Sequence, residues 1–228
     1  MIGPLLRTAL LVACLSTSAA MAGEPAQVLA PGYGPLQYDP PAAGSYQLPP
    51  LGTAVDGRVI DDSGAPLTLY ELLGDKFVLL GFIYTRCSDI NGCPLATFVM
   101  KKVQDRLHQN AELGPQLRLI SLSFDPEMDT PQVLHDYAGH FRREGVDWQF
   151  LTTASDAQLQ PILDGFDQWR QKSYDETGNY NGSMSHILRV YLIDKQRRIR
   201  NIYSTGFLDA DTVINDLRTL EMASGADD

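Results

Sequence analysis

The sequence predicts an α/β sandwich built on a mixed sheet, and three features carry that prediction. Short apolar runs alternate with helical patterns from Gly52 onward. Phe77 to Tyr84 is one continuous apolar run, the mark of a strand buried on both faces. The chain then closes with two apolar runs joined by a charged turn, followed by one more helical pattern.

The elements follow in order. Ala54 to Ile60 reads as an edge strand of a hairpin that turns at Asp61-Asp62-Ser63-Gly64, and Leu67 to Leu73 as one or two helical turns. After the Phe77–Tyr84 strand, Leu95, Phe98, Val99, Val103 and Leu107 recur on one helical face, with Pro94 suited to a first helical position. Leu117 to Phe124 is the next strand. Asp129-Thr130-Pro131 supplies a cap and a starting proline for a helix to about Phe141. Trp148 to Leu151 is a strand, and Ser155-Asp156-Ala157-Gln158 is a capping box opening another helix. Residues 170 to 184 are polar and rich in Gly, Asn and Ser, which predicts a long loop. Ile187 to Ile193 and Ile199 to Tyr203 form a hairpin, and Asp209 or Asp211 caps a last helix ending near Met222. This is the order of a thioredoxin-like fold, a central mixed β-sheet flanked by helices, with an N-terminal hairpin and one inserted strand and helix. No internal repeat interrupts it.

Four segments are expected: a signal peptide at 1–22, a Pro/Gly-rich linker or arm at 23–52, the folded domain at 53–222 and a frayed tail at 223–228. Arg7, the apolar or small residues 8–20 and Ala20-Met21-Ala22 give the leader its export pattern. Leu11-Val12-Ala13-Cys14 also resembles a lipobox, so soluble export, a lipoprotein at Cys14 and a retained anchor all stay open; each places the protein in the periplasm. In the arm, Pro31, Pro35, Pro40-Pro41 and Pro49-Pro50 break regular structure, and Tyr33 and Tyr38 are candidate anchors onto the domain.

The 228 residues carry a formal charge of −10, which argues against a nucleic-acid partner. The densest basic cluster, Lys195, Arg197, Arg198 and Arg200, falls at the turn of the last hairpin and reads as a solvated turn.

Of three cysteines, cleavage after Ala22 leaves Cys87 and Cys93. In an oxidising compartment that pair is a disulfide, a redox couple or a metal site. A pure staple closing so short a loop constrains the unfolded chain little. The pair lies between the buried strand and the amphipathic helix. The unpaired N–H groups of a first helical turn favour thiolates there, and Arg86 adds positive charge. Two thiolates suit Cu(I), and an imidazole would extend the site to Cu(II). Among four histidines, His108, His135 and His140 fall on helices without ligand spacing and read as exposed helix residues. His186 follows the long loop and opens an apolar strand, where a loop can deliver a ligand. Asp89, inside the cysteine loop, and Met184 are auxiliary candidates.

Phe82-Ile83-Tyr84-Thr85-Arg86-Cys87, Cys93-Pro94, Ser123-Phe124-Asp125-Pro126-Glu127-Met128-Asp129-Thr130-Pro131 and Ser185-His186 together resemble the Sco/SenC copper-protein family, from about residue 50 to 220. The resemblance implies a thioredoxin fold, copper as Cu(I) or Cu(II) held by Cys87, Cys93 and His186, and Asp125 orienting a ligand. It also implies delivery of copper to an apo cupro-protein such as a cytochrome c oxidase subunit, with another copper chaperone or a thiol reductant as a further partner. One departure is plain: the family usually spaces its cysteines C-x-x-x-C, whereas five residues separate them here. The rival expectation is an exported thiol–disulfide oxidoreductase or redox sensor, in which Cys87 attacks and Cys93 resolves. Its weak points are the spacing, which is not C-x-x-C, and the lack of any proline after Pro161 to face the pair from the later strand.

Overall fold

The computed structural model describes residues 33, 34, 36 and 38–224. The expected leader, the cleavage site and Cys14 lie outside the described residues. The elements are β1 (Gly52–Thr53), β2 (Arg58–Asp61), β3 (Pro66–Thr68), α1 (Leu69–Leu72), β4 (Phe77–Ile83), α2 (Cys93–His108), β5 (Leu117–Ser123), α3 (Pro131–Gly139), β6 (Trp148–Thr152), α4 (Asp156–Gly165), β7 (Arg170–Tyr174), β8 (Tyr180–His186), β9 (Val190–Ile193), β10 (Arg198–Tyr203) and α5 (Ala210–Ser224).

Eight strands form one mixed sheet in the order β1-β10-β9-β4-β5-β6-β2-β3. Only the β4–β5 and β5–β6 pairs are parallel; the others are antiparallel. All seven residues of β4 are buried, as a central strand covered on both faces requires. Successive residues of a strand face opposite sides, and β4 shows what lies on each. At Gly81 the α2 side chain of Met100 comes so near that an added Cβ would sit 3.3 Å from its sulfur. Phe82 points the other way, onto Phe166 at the end of α4 and onto Tyr191. Helix α2 bonds to α3 through Thr97 and Tyr137 at 2.9 Å, and it packs against α5. Three helices therefore cover one face and α4 the other.

The caps follow the sequence closely. Thr130 accepts from Val133 N–H, Ser155 from Gln158 N–H, and Asp209 from the N–H groups of Asp211 and Thr212. The basic cluster is a turn, tied by Arg198 and Arg200 to Asp194 at 2.8 Å each. His108 on α2, His135 on α3 and His140, just past the end of α3, are exposed, as expected.

Three expectations need correction. Residues 170–184 are not a long loop: β7 and β8 pair antiparallel as a separate two-stranded sheet. Strand β8 alternates faces on small residues, with Gly182 and Met184 inward, so the period of two exists without the apolar bulk that reveals it. His186 accordingly ends β8 and does not open the following strand, which begins only at Val190. Finally, Ala54 to Ile60 is not one strand. Thr53 ends β1 and Arg58 begins β2, and the hairpin pairs β2 with β3.

The described part of the arm packs onto the domain through tyrosines. Tyr33 donates its hydroxyl proton to Asp209 and sets its ring edge-on to Phe98. Tyr38 meets Phe207, and Tyr46 donates to Asp216 at 2.5 Å. Among the described residues no helix is long and apolar enough to cross a membrane.

Candidate metal centre

Three side chains far apart in sequence meet at the tip of α2. The ligand atoms of Cys87, Cys93 and His186 all lie within 4.8 Å of one another. His186 Nε2 is 3.6 Å from Cys93 Sγ and 4.0 Å from Cys87 Sγ. Among the described residues this is the only grouping of His, Cys, Asp or Glu side chains with such geometry.

Each ligand is placed by its own element. Cys93 is the first residue of α2, is 2% exposed, and receives the Tyr84 N–H at 3.4 Å from the end of β4. Cys87 is half-buried on the loop between β4 and α2, with its N–H bonded to the Tyr84 carbonyl at 3.2 Å. The longer loop closes on Asp89, whose carboxylate receives Asn91 N–H and whose carbonyl receives Gly92 N–H. Gly92 is the close approach that makes the centre fit: a Cβ there would stand 3.0 Å from His186 Nε2 and 3.2 Å from Asp89 Oδ2. The imidazole is set edge-on to Tyr84, with ring centroids 5.5 Å apart, and lies 5.1 Å from the Phe124 ring.

The two thiols differ electrically. Hydrogen bonding from Cys93 overrides burial and, with His186, holds Cys87 well below the usual thiol range. Burial drives Cys93 well above it, and pairing with Cys87 adds to the rise. The expected lowering of both cysteines fails at Cys93, which is sealed from water, and at Cys87 it comes first from the Cys93 and His186 side chains. Burial opposes protonation of His186, yet its hydrogen bond to Cys87 prevails and raises its pKa. Without metal the centre therefore favours ionisation of Cys87 and protonation of His186, and it disfavours ionisation of Cys93.

The remaining sequence candidates do not join the three converging ligand atoms. Asp125 is fully buried but accepts from the Tyr180 hydroxyl at 2.8 Å; its hydrogen bonds reach none of the three candidate ligands. The buried carboxylate that serves the cysteine loop is Asp129, which the sequence marks as a cap residue and as part of the Ser123–Pro131 motif. It receives Thr85 N–H at 3.1 Å, the Thr85 hydroxyl at 2.6 Å and the Ser123 hydroxyl at 2.6 Å. Arg86 lies against Gly182 of β8, where a Cβ would be 2.6 Å from its guanidinium. Met184 is buried on the inward face of β8, and Asp89 organises the loop. Tyr84, Phe124 and Asp129 were all within the quoted motifs, but nothing in the spacing distinguished their roles.

Beside the centre lies a cavity of about 440 Å³, lined in part by Asp89, Asn91, Gly92, His186 and Arg189. A thioredoxin-like fold that holds two cysteines and a histidine at one helix tip defines a thiol-and-imidazole protein of the kind that binds soft metals. The SCO1/SenC family profile matches residues 54–221, and the chain belongs to that family. An SCO2-like protein of Rickettsia typhi is 31% identical over 150 residues, covering 64% of this chain and 68% of the relative. The structure of Arabidopsis thaliana ScoI with copper bound shares the fold with a TM-score of 0.62 at 23% identity, covering 75% of this chain and 99% of that one. BsSco, a member of the Sco family of cytochrome c oxidase assembly proteins, gives a TM-score of 0.59 at 25% identity over 76% of this chain and 97% of its own; a disulfide switch has been identified in it.

Proposed function

We propose that this protein binds one copper ion through Cys87, Cys93 and His186 and serves the assembly of a respiratory cupro-protein such as cytochrome c oxidase. It does so by delivering copper or by reducing the target's copper-site cysteines. The observation that carries the reading is the convergence of two sulfurs and one imidazole nitrogen within 4.8 Å. Two thiolates match Cu(I), and the added nitrogen accommodates Cu(II). Copper bound to Arabidopsis ScoI and the assembly role of the family that includes BsSco support the same reading. The half-exposed Cys87 leaves one side of the centre open to a partner, as transfer of a cargo ion requires. The leader pattern supports work in the periplasm, where both copper and an oxidising environment are at hand.

A second reading, an exported thiol–disulfide oxidoreductase, draws on the contrast between the two cysteines. A thiolate-prone, accessible Cys87 beside a sealed, neutral Cys93 is the arrangement of an attacking and a resolving thiol. Anaerobic copper titration of the reduced protein separates the readings. The copper reading expects one ion per chain and, after oxidation, a thiolate-to-Cu(II) charge-transfer band. Steady reduction of a disulfide substrate with no stoichiometric copper binding would favour the oxidoreductase.

A further inference from the structure

The loop from Phe124 to Thr130, between β5 and α3, touches both halves of the metal centre. At one end, Asp125 Oδ2 accepts from Tyr180 of β8 at 2.8 Å, and Glu127 accepts from Lys172 of β7 at 3.1 Å. Lys172 is 9% exposed. It also bonds Asp156 at the start of α4 at 2.7 Å, lies over the Tyr180 ring at 4.8 Å and stands 4.0 Å from Asp125 Oδ1, an oxygen with no hydrogen-bond partner. At the other end, Asp129 holds the backbone and hydroxyl of Thr85, two residues before Cys87. The loop is itself a closed turn: the N–H groups of Met128 and Asp129 both bond the Asp125 carbonyl, at 3.1 and 2.8 Å.

This matters because the hairpin that carries His186 is not hydrogen-bonded into the main sheet. Its position over the sulfurs depends on what clasps it from the side. In the hairpin's register Lys172 pairs with Met184, and Arg170 pairs with His186 itself. Lys172 is thus about 7 Å along the strand from the imidazole-bearing residue. Arg170, 8% exposed, bonds Asp156 at 2.8 Å and reinforces the same clasp. A metal site tolerates displacement of its ligands by only about 0.5 Å. A shift of the hairpin by a fraction of a hydrogen-bond length would therefore be felt at Nε2.

We propose that the loop is a two-ended bracket: Asp125 and Glu127, through Lys172 and Tyr180, position the His186 imidazole, while Asp129, through Thr85, independently positions Cys87. Lys172 and Asp129 are positioning residues, since neither reaches the ligand atoms. The proposal rests on the metal-centre reading but concerns how that centre is built, and it can be measured with no metal present.

The test compares Lys172→Met, Lys172→Arg and Asp129→Asn with the wild type. In the metal-free protein at one fixed pH, the NMR shifts of the His186 ring protons report its place beside Tyr84 and Phe124, and the Cys87–Cys93 disulfide potential reports the cysteine loop. Lys172→Met should move the ring shifts toward those of free imidazole, leave the disulfide potential unchanged, and weaken Cu(II) binding by about 10- to 100-fold while sparing Cu(I). Lys172→Arg should restore all three. Asp129→Asn should shift the disulfide potential and weaken both copper states, with the ring shifts unmoved. If Lys172→Met fails to fold, Glu127→Gln, which removes one exposed partner of the clasp, must show the same pattern in smaller degree. Unmoved ring shifts in Lys172→Met or Glu127→Gln, or the same profile at both ends of the loop, would overturn the bracket. A wild type that binds no copper would remove only the metal reading, because the ring shifts and the potential would still decide the bracket.

Discussion

At the residue scale the centre depends on one imidazole, two unequal thiols and two glycines. Removing the nitrogen should matter most for the oxidation state that needs it: His186→Ala is expected to weaken Cu(II) by at least about 100-fold, beyond the range for an outer partner, and Cu(I) far less. Competition titrations against chelators of each ion check this; equal losses would mean that the imidazole is not a selective ligand. The thiols should differ in reactivity. Iodoacetamide followed by peptide mass analysis should label Cys87 several-fold before Cys93, since only Cys87 is both accessible and inclined to ionise. Gly182 takes a φ of +81° and leaves room for the Arg86 guanidinium. Gly182→Ala should therefore cost about 1–2 kcal/mol from the backbone alone. Urea unfolding measures that loss.

At the scale of elements, the site joins the tip of α2 to the end of β8, and these two were not equally legible in the sequence. Helix α2 and strands β4 and β5 were plain because bulky apolar residues mark a period or a run. The β7–β8 hairpin was hidden because its inward positions include Gly182, and its strands are polar enough to resemble a loop. That is why the sequence pattern places His186 at the start of the strand after it. The acidic pair in Asp125-Pro-Glu-Met-Asp129 shows another limit. Two carboxylates four residues apart in one turn look alike in sequence, and only the fold decides that Asp129 faces Thr85 while Asp125 faces Tyr180. Elsewhere, Asp147 stitches the starts of three strands. Burial opposes its ionisation, but bonds from Gln149, Lys76 and Arg118 prevail and hold its carboxyl below the ordinary value. A carboxyl lowered on folding contributes stability that is complete above its unfolded pKa of about 3.9 and is lost as pH falls through the folded value. Asp147→Asn should thus lower stability by about 1–3 kcal/mol at neutral pH. Chemical denaturation across a pH series should show the gap from wild type closing in acid.

At the scale of the whole molecule, the described part of the arm belongs to the folded unit. Asp216 on α5 gathers the hydroxyls of Tyr46 from the arm and Tyr203 from β10, at 2.5 and 2.6 Å, and the Asn201 amide at 2.7 Å. It is 3% exposed. Asp216→Ala leaves buried donors unmet and should destabilise by about 1–3 kcal/mol, read as a lower Tm in a thermal melt. Lone tyrosines in a proline-rich segment carry no periodicity, so the sequence pointed to anchors at Tyr33 and Tyr38 but passed over Tyr46.

The account depends most on nitrogen and sulfur sharing one ion at the α2 tip. X-ray absorption at the copper edge of the copper-loaded protein reads the ligand shell directly. The prediction is two sulfurs at about 2.3 Å and, in the Cu(II) form, an imidazole nitrogen at about 2.0 Å, by analogy with zinc sites. A shell of sulfur alone in Cu(II), or one of oxygen and nitrogen without sulfur, would contradict it.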